Sequence, residues 1–337
     1  MPTRTSTTSR TRTSTRTRTP RPLPSPTTRT GPSALPAETR TPVPSGVVVV
    51  DKAAGLTSHG VVARVRRLLG TRKVGHAGTL DPMATGVLVV GVERATRLLG
   101  HLTLTDKSYE ATIRLGVGTV TDDAEGDVLT TPGLASLDEA ALESALGTLR
   151  GPILQVPTAV SAIKVDGVRS YARVRAGEDV ALAARPVTVH RLDVVARRTS
   201  EVDGVPVVDL DVVVDCTSGT YVRALARDLG VALGSAGHLT ALRRTRVGPF
   251  RLDEAVVLPE PGPGVAAPRV EPIAEVAGRT FPVLRLPPAE VADVRVGRRL
   301  PDLTLDGLTA LFDDDGTFLA LYRPAPDGAR PEAVFVG

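Results

Sequence analysis

Hydrophobic positions are distributed unevenly along this chain. Up to about residue 45 Thr, Arg, Ser and Pro dominate, and large apolar side chains are nearly absent. Such a segment cannot bury enough surface to offset its ordering entropy, so residues 1–45 are expected to form a disordered basic tail. Order is expected from Gly46-Val47-Val48-Val49-Val50, a β-branched run that reads as a buried strand. Ser58 is placed to cap a helix reaching Leu69, with Val61, Val65, Leu68 and Leu69 on one face. Residues 87–92 read as a strand, and 109–115 alternate as a half-buried strand should. Ser136-Leu137-Asp138-Glu139 reads as a capping box before a helix ending near Leu149. Strands over 187–196 and 207–215 precede a helix over 222–233. Strands interspersed with helices predict a mixed α/β domain over about 46–255. A Pro- and Gly-rich linker follows at 256–274, and then a small β-rich unit at 275–337. In that unit residues 308–312 and 317–322 flank Asp313-Asp314-Asp315-Gly316 as a hairpin.

Composition narrows the chemistry. The single cysteine, Cys216, excludes a disulfide framework and a cysteine-rich zinc site, and the histidines (His59, His76, His101, His190, His238) lack metal-ligand spacing. No run of about eighteen apolar residues predicts a membrane span, and the N-terminus lacks a signal-peptide core, so a cytoplasmic location is expected. Of 41 bases and 37 acids, eight arginines and one acid precede residue 46, so the body carries a slight excess of acids. Whole-chain charge therefore does not argue for nucleic-acid binding by the body. Local patches do.

Gly75-His76-Ala77-Gly78-Thr79-Leu80-Asp81-Pro82 sets one carboxylate between a glycine-rich loop and a proline. Pro82 keeps Asp81 out of helical conformation, and the glycines admit close backbone approach. For the dipeptide alone, a surface Asp-Pro turn is the alternative. Just upstream lie Arg64, Arg66, Arg67, Arg72 and Lys73, either a solvated helix face or a phosphate-binding patch. Between residues 46 and 248 the only aromatics are Tyr109, Tyr171 and Tyr221, each near a base. That pairing suits base stacking with phosphate contact, although half-exposed strands also accept tyrosines. Lys164 to Gly177 joins four bases, one acid and Tyr171 in the best RNA-binding patch by composition.

Taken together these segments resemble the TruB family of tRNA pseudouridine synthases. The octapeptide is similar to the family's catalytic motif. Asp51-Lys52-Ala53-Ala54-Gly55-Leu56-Thr57-Ser58 is similar to its first motif, with Ala53 where proline is usual, and is given a structural role. Asp106-Lys107-Ser108-Tyr109-Glu110, the acidic Thr121 to Gly126 loop, Asp215 to Arg223 and Gly237 to Arg246 complete the ordered set. The resemblance implies a pseudouridine synthase catalytic domain at 46–255, carrying an RNA-clamping insertion at about 161–186. It also implies a PUA-like RNA-binding unit at 275–337, whose removal should weaken substrate binding more than turnover.

The implied activity is isomerisation of the uridine numbered 55 in the tRNA T loop, after base flipping, without cofactor or metal. By resemblance Asp81, Tyr109 and Arg223 are the catalytic residues. His76 fills the space of the flipped base, Asp123 holds Arg223, and Leu242 packs on the target ring. Lys164, Arg169, Tyr171, Tyr221, Arg243 and Arg244 contact RNA. The substrate partner is the tRNA T arm, with no protein partner and a monomer expected. A non-catalytic RNA-binding protein or tRNA-folding chaperone is the alternative, and a guide-RNA-dependent synthase a third reading.

Overall fold

The computed structural model describes residues 42–158, 182–336, and a two-rung ladder of Lys164–Val165 with Val168–Arg169. Residues 1–41 of the expected tail and Tyr171 lie outside the described residues, and so do the side chains of Lys164 and Arg169. The tail's last residues belong to the body: Val43 packs against the core, and the Ser45 carbonyl accepts from the Ile273 amide at 3.0 Å. Among the described residues the large sheet has ten strands. Eight carry labels here: β1 (Gly46–Lys52), β2 (Val74–Ala77), β3 (Thr85–Val92), β4 (Lys107–Leu115), β5 (Gly151–Gln155), β6 (Arg185–Val202), β7 (Val205–Cys216) and β8 (Gly237–Val247). Their order is β1-β3-β8-β4-β7-β6-β5, with β2 beside β3. This is a mixed α/β architecture. Neighbours run antiparallel except β3 and β8, which pair in parallel at Thr85 with Arg243 and Gly86 with Arg244.

The valine run of β1 does not alternate in polarity because both faces of the strand are buried. Val48 and Val50 join one core with Leu88 and Val90 of β3. Three helices cover that face: α1 (Ser58–Leu69), α2 (Glu139–Leu149) and α3 (Val222–Ala232). Val47, Val49, Val87 and Val89 point the other way and meet a second core. Its cover is α4 (Ile273–Thr280) with a four-stranded sheet of β9 (Val283–Arg285), β10 (Thr309–Phe312), β11 (Phe318–Ala325) and β12 (Gly328–Val334). Phe250, Phe312, Phe318 and Phe335 are buried in this seam and Phe281 packs against it, which accounts for all five phenylalanines. The hairpin forms as expected, turning through Asp313 to Thr317.

Two helix caps differ from expectation. Thr57, not Ser58, caps α1, its Oγ1 accepting from the Gly60 amide at 2.9 Å. Asp138, not Ser136, caps α2 through the Ala141 amide at 2.8 Å. In each case the residue in extended conformation immediately before the helix does the capping. The 256–274 stretch also begins in contact with the sheet: the Val256 amide donates to the Val49 carbonyl at 2.9 Å and the Asp51 amide to the Val256 carbonyl at 3.0 Å.

Candidate active site

Asp81 opens a β-turn through Pro82, its carbonyl accepting from the Ala84 amide at 3.1 Å. The first motif grips this turn. Lys52 Nζ donates to the carbonyls of Leu56 at 2.7 Å and Pro82 at 3.0 Å, and the Gly55 amide donates to Pro82 at 2.9 Å. Ser58 Oγ accepts from the Leu80 amide at 2.9 Å and donates to the Leu80 carbonyl at 3.1 Å. Freed from capping, Ser58 clamps the residue before Asp81. Sequence reasoning missed both grips, since neither a buried lysine nor a buried serine leaves a periodic signal.

Arg223, in the first turn of α3, meets both oxygens of Asp81, Nε to Oδ2 at 3.1 Å and Nη2 to Oδ1 at 3.3 Å. Its Nη1 donates to Asp123 Oδ2 at 3.0 Å and to the Thr121 carbonyl at 2.9 Å. The Arg223 and Asp123 side chains are 7% and 3% exposed, whereas Asp81 keeps 35% of its side chain accessible. So the acid facing the opening is the one free to react. Burial raises the Asp81 pKa and Asp123 adds to that rise, while Arg223, Lys52 and Arg244 oppose it. A guanidinium on both oxygens, itself unable to deprotonate, favours the ionised form of Asp81 and aims it.

Asp81 lines a cavity of 310 Å³ together with Gly78, Thr79, Thr103, Lys107, Tyr109, Tyr221, Arg223, Leu242 and Arg244. That volume is at the small end for a ligand site and takes one nucleoside. Burial raises the Tyr109 pKa, so the phenol stays protonated at neutral pH. Lys107, two residues along the strand, shares its face; burial and then Arg244 push its pKa down to about 8. Its Nζ donates to the Thr105 and Thr103 carbonyls at 2.7 and 2.8 Å. Strand periodicity places Lys107 on the face of Tyr109, but a lysine between Asp106 and Ser108 reads as an exposed polar position, which hid the signal.

Two arginines expected to contact RNA are bonded within the fold. Arg244 is 1% exposed and donates to the carbonyls of Val87 at 2.8 Å, Gly78 at 3.0 Å and Thr79 at 3.4 Å. It forms the floor of the loop that carries Asp81 and lines the cavity. Arg243 is paired with Asp51 at 2.7 Å and donates to Thr85 Oγ1 at 3.2 Å. Both depend on Gly86, whose φ is +98° and where a Cβ would stand 2.2 Å from the Arg244 carbonyl oxygen. Arg66, Arg67, Arg72 and Lys73 remain exposed near the loop.

His76 lies on β2, not in a loop. Its Nδ1 is buried without a hydrogen-bond partner among the described residues, and the His59 ring stands edge-on at 5.4 Å. Burial lowers the His76 pKa, with His59 and Arg244 contributing, so the ring is neutral near pH 7. Among the described residues no cluster of His, Cys, Asp or Glu could hold a metal ion, and no helix is long and apolar enough to cross a membrane.

Family models match along most of this body. The TruB family pseudouridylate synthase N-terminal domain matches residues 66–222, and the tRNA pseudouridylate synthase B C-terminal domain matches 223–260. The tRNA pseudouridine synthase II C-terminal model matches 281–336. The tRNA pseudouridine synthase B of Cutibacterium acnes is 59% identical over 281 residues, covering 83% of this chain and 93% of that protein. This chain belongs to the TruB family. The same-named protein of Thermobifida fusca is 56% identical over 294 residues, covering 87% of this chain and 99% of the other. Among solved structures, a chain in a Cbf5-Nop10-Gar1 complex aligns with TM-score 0.63 at 26% identity, covering 87% of this chain and 86% of that one. The TruB family members with more than half of their residues identical are thus pseudouridine synthases by name.

Proposed function

We propose that this chain isomerises uridine to pseudouridine in tRNA, at the T-loop uridine numbered 55. The observation that carries the reading is one accessible carboxylate, Asp81, held at both oxygens by Arg223 on the wall of a nucleoside-sized cavity. The reaction breaks the bond from ribose C1′ to uracil N1, turns the base, and forms C1′–C5. The C5 hydrogen leaves as a proton and N1 gains one, so no cofactor or metal is required. Asp81 attacks C1′, or removes the C2′ proton in a glycal route. Tyr109 and Leu242 wall the base, and protonated Tyr109 can donate or relay a proton. Flipping the uridine out of its stack costs about a few kcal/mol. A neutral His76 fills the space left behind without bringing a charge into the stack.

The exposed bases from Arg66 to Lys73 take RNA phosphates, and Lys164, Arg169 and Tyr171 of the insertion clamp the T arm. The small sheet over 275–337 serves as a PUA-like RNA-binding unit. A cytoplasmic monomer completes the reading. A pure RNA chaperone would have no use for a carboxylate desolvated and aimed in this way, since it repels phosphate.

Tritium release from tRNA labelled at uridine C5, run with wild type and Asp81→Asn, tests the reading. Release by wild type alone is the expected result, with mutant tRNA affinity within about tenfold because phosphate contacts use other residues. No release by either protein, with tRNA still bound, would establish the chaperone reading instead.

A further inference from the structure

Gln155 ends the edge strand β5 and Thr158 follows it, yet they are 2% and 1% exposed, unusual burial for polar side chains. Each is bonded to the machinery around Arg223. The Gln155 amide embraces the peptide groups of Tyr221: Nε2 donates to the carbonyl at 3.1 Å, and the Tyr221 amide donates to Oε1 at 2.8 Å. Tyr221 is the residue before α3 and gives the helix no side-chain cap. Gln155 therefore fixes from across the fold the helix end that carries Arg223. Thr158 Oγ1 donates to Asp122 Oδ2 at 2.8 Å, and Arg227 Nη1 meets the same oxygen at 3.2 Å. Arg227 Nη2 also donates to the Val156 carbonyl at 2.8 Å.

Two adjacent carboxylates thus face two arginines one helical turn apart. Asp123 takes Arg223 and Asp122 takes Arg227. The arrangement needs Asp122 at a left-handed φ of 55°, which a non-glycine residue adopts only when its surroundings hold it there. Thr158 and Arg227 do the holding. If Asp122 relaxed, Asp123 would turn with it and Arg223 would lose its bond to that carboxylate.

We propose that Gln155 and Thr158 are positioning residues that set Arg223 against Asp81, although neither lines the cavity. The proposal rests on Asp81 being the reacting group. The charged groups facing Asp81 are Arg223 from α3, Asp123 from the acidic turn, Lys52 from β1 and Arg244 from β8. Loosening Arg223 removes the largest influence that lowers the Asp81 pKa, so the carboxyl should titrate at higher pH.

The test compares Thr158→Val and Gln155→Leu, which delete the bonds at similar volume, with Thr158→Ser, which keeps the hydroxyl. Carbon-13 NMR titration of the Asp81 carboxyl is paired with kcat and KM for tritium release and with thermal melts. Expected are an upward shift of the Asp81 titration and a fall in kcat of about tenfold to 100-fold, with KM little changed and Thr158→Ser near wild type. An unmoved Asp81 titration overturns the proposal whatever happens to the melting temperature. So does a rise in KM alone, which would place residues 155–158 in RNA contact. Should wild type itself release no tritium, the synthase reading fails while the titration still decides the positioning role.

Discussion

Removing residues 275–337 should destroy the large domain rather than merely weaken RNA binding. The deletion strips the cover from Val47 and Val49 of β1, Val87 and Val89 of β3, and Phe250. Each such side chain is worth about 1.5–3 kcal/mol when buried, so five sum to roughly 10 kcal/mol. That rivals the entire stability of a domain, about 5–15 kcal/mol. The figure is an upper estimate because unfolded chains bury some of this surface too. Polar ties go as well: Arg94 Nη1 donates to the Phe335 carbonyl at 2.6 Å, and the Arg97 guanidinium lies 5.2 Å from the Phe335 ring centre. A fragment spanning 42–274 should therefore be insoluble, or lack a cooperative urea transition by circular dichroism. Phe318→Ala in the full chain is a milder version and should cost about 3–5 kcal/mol. A monomeric fragment with a urea midpoint near that of the full chain, and only a raised KM, would refute the packing argument and restore the separable unit expected from sequence.

Gly86→Ala should lose more than about 3 kcal/mol, since it adds positive-φ strain to a collision with the Arg244 backbone. Chemical melts check this, and a loss below about 1 kcal/mol would mean that the β3–β8 pairing yields easily. Alkaline pH offers a second handle. Lys107 titrates near 8 when folded against 10.5 ordinarily, so between those values the unfolded chain binds the extra proton and stability rises with pH. Lys107→Met should flatten that rise in urea midpoints measured from pH about 8 to about 10, and an unchanged slope would show that the lysine is not desolvated.

Much of the fold was legible because its signals are local. The Val47–Val50 run, the apolar face of α1 and the acidic hairpin turn each carry their own pattern. The strand β8 did not, because Thr240, Arg243, Arg244 and Arg246 make it look like a surface basic segment. Its arginines are satisfied by carbonyls and carboxylates from distant parts of the chain, a fact that no window of sequence contains. For the site, motif resemblance brought together Asp81, Tyr109, Tyr221, Arg223 and Leu242, which line one cavity. It did not show that Lys52 and Ser58 grip the loop, because a side chain bonded to backbone carries no pattern of its own. The two displaced helix caps have the same origin. Several residues at each helix start could cap it, and tertiary contacts chose among them.

The strand order sets a schedule for the newborn chain. β8 lies between β3 and β4, yet it is made long after both. At elongation speeds of about 5–20 residues per second, β3 waits roughly 7–30 s for this neighbour. Its valine face waits longer still, until residues from Ile273 onward emerge. Throughout that interval β4 presents the open edge that β8 will cover, beside an uncovered apolar surface, the combination most prone to stick to other nascent chains. Production of this enzyme in cells should therefore be governed by whatever shelters that half-made sheet, more than by the stability of the finished molecule.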